Sequence, residues 1–262
     1  MPVRLDQALI LLKLATSRER AKEAVSAGQV WVNGSNKVKP STPVTPADKI
    51  ELRGETLRYV GRGGLKLEKA LAVFGIALEG ARCVDLGAST GGFTDCMLQN
   101  GADHVHAIDV GHDQLAASLL ANPRVTNMEG TDARSVTPEQ LGGAVDFAAT
   151  DVSFISLGKV LPAMAALVRE GGAVACLIKP QFEAGPEHVG KNGVVKDPKV
   201  HVQVIEQVLA QAQAAGLAPQ GLDHSPIKGP AGNIEYLLHA TKGGEPVELD
   251  ARAAVERAHR EL

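Results

Sequence analysis

The sequence predicts an α/β protein: a doubly wound sheet whose last strand runs antiparallel, preceded by a small α+β domain. Three observations carry this. From Cys83 onward, short apolar runs alternate with segments of helical periodicity, the pattern of strands joined by crossover helices. Residues 82–93 read R-C-V-D-L-G-A-S-T-G-G-F, an apolar run closing on Asp85 and Leu86, then a turn of small residues, then a helix start. The composition is 44% hydrophobic but only 3% aromatic, an aliphatic interior suited to strands covered on both faces.

The 262 residues are enough for one mid-sized domain and one small one. We place the boundaries at 1–60 for the small domain and 61–245 for the sheet domain, with 246–262 as a helical tail. The net charge of −3 conceals an asymmetry. Residues 1–60 hold ten Lys/Arg against six Asp/Glu, leaving seventeen against twenty-four for the rest, so a basic module for an anionic partner precedes an acidic one. Cys83, Cys96 and Cys176 are odd in number and lack C-x-x-C spacing, so neither a disulfide framework nor a metal site is indicated. The apolar runs at 8–12 and 173–178 are too short to span a bilayer, and no signal-peptide pattern opens the chain; the expectation is a cytoplasmic protein.

In chain order, Val3 to Leu14 has helical spacing, and Thr16-Ser17-Arg18-Glu19 fits a capping box opening a second helix that ends at Gly28. Val30-Trp31-Val32 is a strand, Asn33-Gly34 a hairpin turn, and Thr42 to Leu52 holds further strand signal. Arg18 and Lys22 share the exposed face of the second helix, with Arg20 nearby. A linker at 57–62 leads to the helix Leu65 to Phe74. Lys66 lies in its first turn, where the helix dipole disfavours a cation. The sheet domain then reads as strand to Leu86, helix to Gln99, strand His104 to Val110, helix Gln114 to Ala121, strands Val125 to Glu129 and Val145 to Thr150, helix Leu157 to Arg169, strand Ala173 to Ile178, helix Lys199 to Ala215, and strands near 220–225 and 234–241. His104 and His106 alternate onto one strand face with nothing nearby to complete a metal site. The segment Gln181 to Asp197, with Lys191 and Lys196, is long enough for a lid or binding loop. Charges alternate along the tail, Val247 to Leu262, as on an exposed helix.

Three chemistries could use the turn after Asp85. A dinucleotide would need G-x-G-x-x-G, and Ser89 stands where the second glycine must meet the pyrophosphate, which disfavours NAD. Gly87-Ala88-Ser89-Thr90-Gly91 also matches G-x-S-x-G, but a nucleophile elbow follows several sheet strands, whereas this strand is the first of its sheet. The third is S-adenosylmethionine, for which class I methyltransferases carry D-x-G-x-x-x-G at this turn, here Asp85, Gly87 and Gly91. The cradle would comprise Asp85, Gly87, Ala88, Ser89, Gly91, Gly92 and Phe93. Asp109, ending the next strand, is placed for the ribose hydroxyls, and Asp132 for the adenine amino group.

Ligands of such sheets lie beyond the carboxyl ends of the strands. Asp151 and Lys179 end strands there, and Glu235 begins the antiparallel strand, which starts at the same edge. With Lys66 arriving from the preceding helix, the four converge beside the cofactor. Methyl transfer needs an acceptor held in line and relieved of its proton. Lys179 is the residue to accept or steer that proton.

The motifs R-L-D at Arg4, S-R-x-x-A at Ser17 to Ala21, G-x-V-x-V-N-G at Gly28 to Gly34 and K-P-S at Lys39 resemble an S-four-like RNA-binding domain. That resemblance implies backbone contacts to structured RNA from Arg4, Arg18, Arg20, Lys22 and Lys39. Lys66, Asp151, Lys179 and Glu235 resemble the Lys-Asp-Lys-Glu tetrad of FtsJ-like ribose 2'-O-methyltransferases, on a Rossmann-like class I methyltransferase sheet. With V-D-L-G-A-S-T-G-G-F-T-D, D-V-S-F-I-S-L, L-I-K-P-Q-F-E and K-x-G-V-V-K-D, nearly the whole chain is similar to the TlyA family. The resemblance implies S-adenosylmethionine as cofactor, with Asp151 also beside it, and 2'-O-methylation of cytidine in ribosomal RNA of assembled subunits. Leu57-Arg58-Tyr59-Val60 departs from the R-x-W-V associated with characterised relatives. A non-catalytic RNA-binding factor is the rival, which an intact tetrad disfavours. A small-molecule methyltransferase would leave the basic domain without a task, and no membrane-active segment supports the haemolysin name used in the family.

Overall fold

The chain divides into two units, Met1–Arg58 and Tyr59–Leu262. The computed structural model describes residues 2–12, 14–15, 18–26, 28–53 and 58–262, with the side chains of Glu19, Arg20 and Glu23 outside that description.

In the first unit, β1 (Val3–Arg4) leads into α1 (Leu5–Leu11), followed by α2 (Arg18–Ser26), β2 (Val30–Val32), β3 (Pro43–Val44) and β4 (Ile50–Leu52). Leu5 and Leu9, one helical turn apart, meet Ala21 and Val25 of α2, and Val30 and Val44 close the core. The first helix is shorter than its periodicity predicts. The Leu5 and Asp6 amides donate to the carbonyls of Thr42 and Pro40, and Val3 pairs with Val44, so the chain stays extended up to Arg4. The capping box expected at 16–19 begins outside the described residues. Asn33 and Gly34, both at positive φ, do make a tight turn, yet the partner of β2 is β4. Asn33 is the reason: its amide donates to Asp48 and its side-chain oxygen accepts from the Lys49 amide, which brings the start of β4 alongside.

The second unit opens with α3 (Gly63–Phe74), then β5 (Arg82–Leu86), α4 (Gly92–Gln99), β6 (His104–Asp109), α5 (Ala117–Leu120), β7 (Val125–Glu129), β8 (Val145–Thr150), α6 (Leu161–Leu167), β9 (Val168–Ile178), α7 (Pro180–Glu183), α8 (Pro198–Ala214), β10 (Leu217–His224), β11 (Tyr236–Lys242) and α9 (Ala251–Glu261). The seven strands lie in the order β10-β11-β9-β8-β5-β6-β7. β7, β6, β5, β8 and β9 are mutually parallel, and β11 runs antiparallel between β9 and β10. The last strand in sequence therefore inserts next to the edge. Alternate residues feed two cores: Val84 and Leu86 face the side of α6, α8 and α9, while Cys83 faces α3, α4 and α5. On the latter face Ala107, Ala149 and Ala175 line the sheet, and these small residues let the helices approach closely.

Two readings are corrected here. The tail is not an exposed helix: Ala251, Ala254, Val255 and Ala258 of α9 are buried, and three of them enter the α8-side core, because alanines one turn apart hide a stripe within the charge pattern. The linker reading of 57–62 fails at Tyr59 and Val60. Tyr59 is buried with its hydroxyl donating to Glu68, and the Val60 amide donates to Asp95, so both belong to the second unit.

Candidate active site

Sheet register brings the polar residues to one edge. Leu86 pairs with Thr150, Thr150 with Cys176, and Ile178 with Tyr236. Asp151 and Lys179 thus stand one residue past the ends of β8 and β9, and Glu235 one residue ahead of β11. Lys66, in the first turn of α3, completes the set. Its Nζ lies 2.7 Å from Glu235 and 3.2 Å from Asp151, whose other oxygen is 2.5 Å from Lys179 Nζ. Four side chains therefore form one row, Glu235–Lys66–Asp151–Lys179. Lys66, Lys179 and Glu235 are buried, with at most 7% of each residue exposed. Burial is the largest influence on the Lys66 amine and lowers its pKa, but Asp151 and Glu235 together outweigh it, and the net shift is upward. The dipole cost expected for a cation at this helix end is met by those two carboxylates.

Ser153 and Phe154 escaped sequence reasoning. Lys179 Nζ also donates to the Ser153 hydroxyl at 2.9 Å and to the Asp151 carbonyl at 3.2 Å. Phe154 is 91% exposed at φ 63, and its ring packs on that of Phe182, 5.0 Å between centroids. The signal was present in D-V-S-F, an aromatic four residues past a strand end, but its outward direction depends on a positive φ that Phe rarely adopts. The expected loop after β9 begins as the helical turn of α7. Buried Asn233 ties its far end beside Glu235, accepting from the Val195 amide and donating to the Gly193 carbonyl.

The turn after β5 is held by carboxylates. One oxygen of Asp85 accepts from both the amide and the hydroxyl of Thr94, at 2.8 and 2.7 Å, which joins the strand end to α4. Asp109 accepts from the amides of Ser89 (2.7 Å) and Gly111 (2.8 Å), pinning the turn to β6. Asp109 was expected to face the ribose; here each oxygen takes one backbone donor and keeps its second lone pair. Asp132, expected beside adenine, is half-buried and ion-paired with Arg134 at 2.5 Å, which holds its carboxyl down at about 2. The glycines also answer to the protein rather than to a ligand alone. Gly91 sits at φ 93, and a Cβ there would fall 2.2 Å from Leu119. Gly92 packs on Gly64 and Gly61 where α3 and α4 begin, and Ala88 and Phe93 are buried beneath them.

The residues fit S-adenosylmethionine. The second oxygen of Asp85 is buried with no hydrogen-bond partner among the described residues. Burial pushes this carboxyl up to about 7, opposed by Thr94 and helped by the charges of Asp151 and Asp109. Three neighbouring carboxylates suit a cationic ligand rich in donors, and they oppose a pyrophosphate. Gly87, Ser89 and Asp109 would hold its amino-acid and ribose portions.

In the first unit, Arg4 and Arg18 converge on Asp6. Arg4 makes a two-pronged contact at 3.0 and 2.9 Å, and Arg18 Nε lies 3.2 Å away. The Arg4 hydrogen bonds, ahead of those from Arg18, hold the Asp6 carboxyl down at about 2. Both guanidinium groups remain about half exposed, and Lys22 and Lys39 are exposed. The Arg20 side chain lies outside the described residues.

Comparison with known proteins agrees with this geometry. The model of the FtsJ-like methyltransferase family matches residues 59–242, and that of the S4 domain residues 3–50. The chain is 43% identical to the 16S/23S rRNA (cytidine-2'-O)-methyltransferase TlyA of Mycobacterium tuberculosis, over 99% of this chain and 97% of that one. It is 38% identical to Hemolysin A of Brachyspira hyodysenteriae, over 90% and 99%. A solved structure from Streptococcus thermophilus, described as a candidate hemolysin, superposes with a TM-score of 0.81 at 46% identity, over 99% and 96%. With the family model spanning the sheet unit and relatives aligned from end to end, the chain belongs to the FtsJ-like methyltransferase family, in the TlyA group that carries an S4 domain ahead of the methyltransferase.

Proposed function

We propose that this protein methylates the ribose 2'-hydroxyl of a cytidine in ribosomal RNA, acting on ribosomal subunits. The observation that carries the reading is the buried row Glu235–Lys66–Asp151–Lys179 at the carboxyl edge of the sheet, next to the turn held by Asp85 and Asp109. S-adenosylmethionine, held beside Asp85 and Asp109, would supply an electrophilic methyl group to the acceptor oxygen, with its own sulfur as the leaving group. The chain has to hold a hydroxyl there and take charge of its proton. Lys179 does this: Asp151 and Ser153 fix its Nζ, and Lys66 fixes Asp151 from the other side. The exposed ring of Phe154 offers the base of the acceptor nucleotide a stacking face beside that amine. Arg4, Arg18, Lys22 and Lys39 in the S4 unit supply sequence-independent contacts to RNA phosphates.

The hemolysin name attached to some relatives does not draw on this constellation. Among the described residues, no helix is long and apolar enough to cross a membrane. The deciding experiment is incubation of unmethylated ribosomal subunits with methyl-labelled cofactor, followed by alkaline hydrolysis. Label in alkali-resistant cytidine dinucleotides is expected. Label on a base, or label on free RNA but on neither subunit, would refute the proposal.

A further inference from the structure

The segment between Asp151 and Ser156 is a short arch. Val152 and Ile155 pack on the core, while Ser153 and Phe154 face solvent. Its first end is secured by the ion pairs of Asp151 with Lys66 and Lys179. Its other end is secured from α7, the single turn following Lys179. Glu183 closes that turn, and its two oxygens divide the work: Oε2 accepts from the Ser156 hydroxyl and Oε1 from the Leu157 amide, both at 2.7 Å. Ser156 Oγ in turn accepts from the Gly158 amide at 3.2 Å. Phe154, in the middle, holds a left-handed backbone at φ 63, a conformation that persists only where both flanks are fixed.

We propose that Glu183 is a positioning residue for methyl transfer: it clamps the Ser153–Phe154 arch so that the Ser153 hydroxyl meets Lys179 and the Phe154 ring stays over Phe182. The hydrogen bonds of Glu183 go to Ser156 and Leu157, so its part is played through the arch. The clamp and its target lie on one short piece of chain, since Lys179 begins the turn that Glu183 ends, so arch and amine keep a fixed spacing. Burial raises the Glu183 carboxyl above the ordinary glutamate range even though the Leu157 and Ser156 hydrogen bonds pull the other way, so the group is kept half-buried against its own solvation.

The inference rests on the proposed methyl transfer, and its test separates the two. Single-turnover methylation and cofactor affinity are measured for Glu183→Ala, Glu183→Gln and Ser156→Ala. In parallel, 4-fluorophenylalanine placed at position 154 reports the arch by fluorine NMR without any turnover. Glu183→Ala is expected to slow transfer roughly 10- to 100-fold, the scale of a displaced reacting group, with cofactor affinity unchanged and the position 154 resonance broadened or shifted. Glu183→Gln retains an acceptor for the Leu157 amide and should recover most of the rate. Ser156→Ala, which leaves α7 intact, should slow transfer by a smaller factor and carries the test if Glu183→Ala does not fold. Rates within about threefold of the parent in Glu183→Ala or, failing that, Ser156→Ala would overturn the clamp, as would an unmoved resonance. A parent protein that transfers no methyl group to ribose would instead overturn the proposed function, and the resonance would still decide the clamp.

Discussion

Lys179 and Lys66 stand in the same row, yet they differ in what their loss would leave behind. Removing Lys66 strands Glu235, which is 1% exposed, and an uncompensated buried charge costs several kcal/mol, of order 3–5. Removing Lys179 leaves Asp151 still paired with Lys66, so it is the cleaner probe of chemistry. Lys179→Met should keep its melting temperature to within a few degrees while single-turnover methylation falls ~100- to 10,000-fold, as for a lost general base. Activity within about threefold would place proton handling elsewhere. Asp109→Ala frees the amides of Ser89 and Gly111 as well as any ligand hydroxyl. Calorimetry should show S-adenosylmethionine binding weakened by roughly 1.5–3 kcal/mol, the value of a hydrogen bond to a charged group. Unchanged affinity would remove Asp109 from the cofactor site. Asp6 carries a pH dependence. Its carboxyl titrates at about 2 when folded against an ordinary 3.8, so the stability it contributes is complete above about pH 4 and drains away as the pH falls through 2. An acid melting series of Asp6→Asn should lack that drop.

Two elements, α3 and α4, begin backbone to backbone, and small residues permit it. A Cβ on Gly64 would lie 2.3 Å from the Tyr59 ring, and one on Gly92 would lie 3.0 Å from the Gly64 amide. Gly64→Ala is therefore expected to cost about 1–3 kcal/mol by overpacking, read as a lower melting temperature, and because α3 carries Lys66 it should slow transfer as well. The double variant with Tyr59→Ala should show a cost well below the sum of the two singles, since they share the contact. Additivity would mean that ring and helix start do not press on one another. This also gives Tyr59 its function: a residue that reads as linker in the sequence is a wedge under the helix that delivers Lys66.

For the whole molecule, the proposed function divides the holding of RNA and its modification between the basic unit and the methyltransferase unit. Arg18 is a poor probe of RNA binding, because its reversal would also break the contact to buried Asp6. Lys22 and Lys39 are exposed and suit the purpose better. Reversing both to Glu should weaken binding to ribosomal RNA, lower the slope of log K against log salt by roughly one to two, and leave cofactor affinity intact. An unchanged slope would take those two lysines out of the RNA contact.

The alternation of strands and helices, the D-x-G-x-x-x-G turn and the four tetrad residues were all legible in the sequence, because each rests on local periodicity or on where a parallel strand must end. Strand register then made a convergence at the edge predictable. Other features depend on what meets what across the fold. That Asp109 pins the glycine turn to β6, that Gly91 is small on account of Leu119, that alanines bury the tail helix, and that Asp6 receives Arg18 are contacts between segments separated along the chain. A carboxylate's hydrogen-bond partners and a Cβ's nearest neighbour are three-dimensional facts, so no one-dimensional pattern of residue types could specify them, and only tertiary packing decided them.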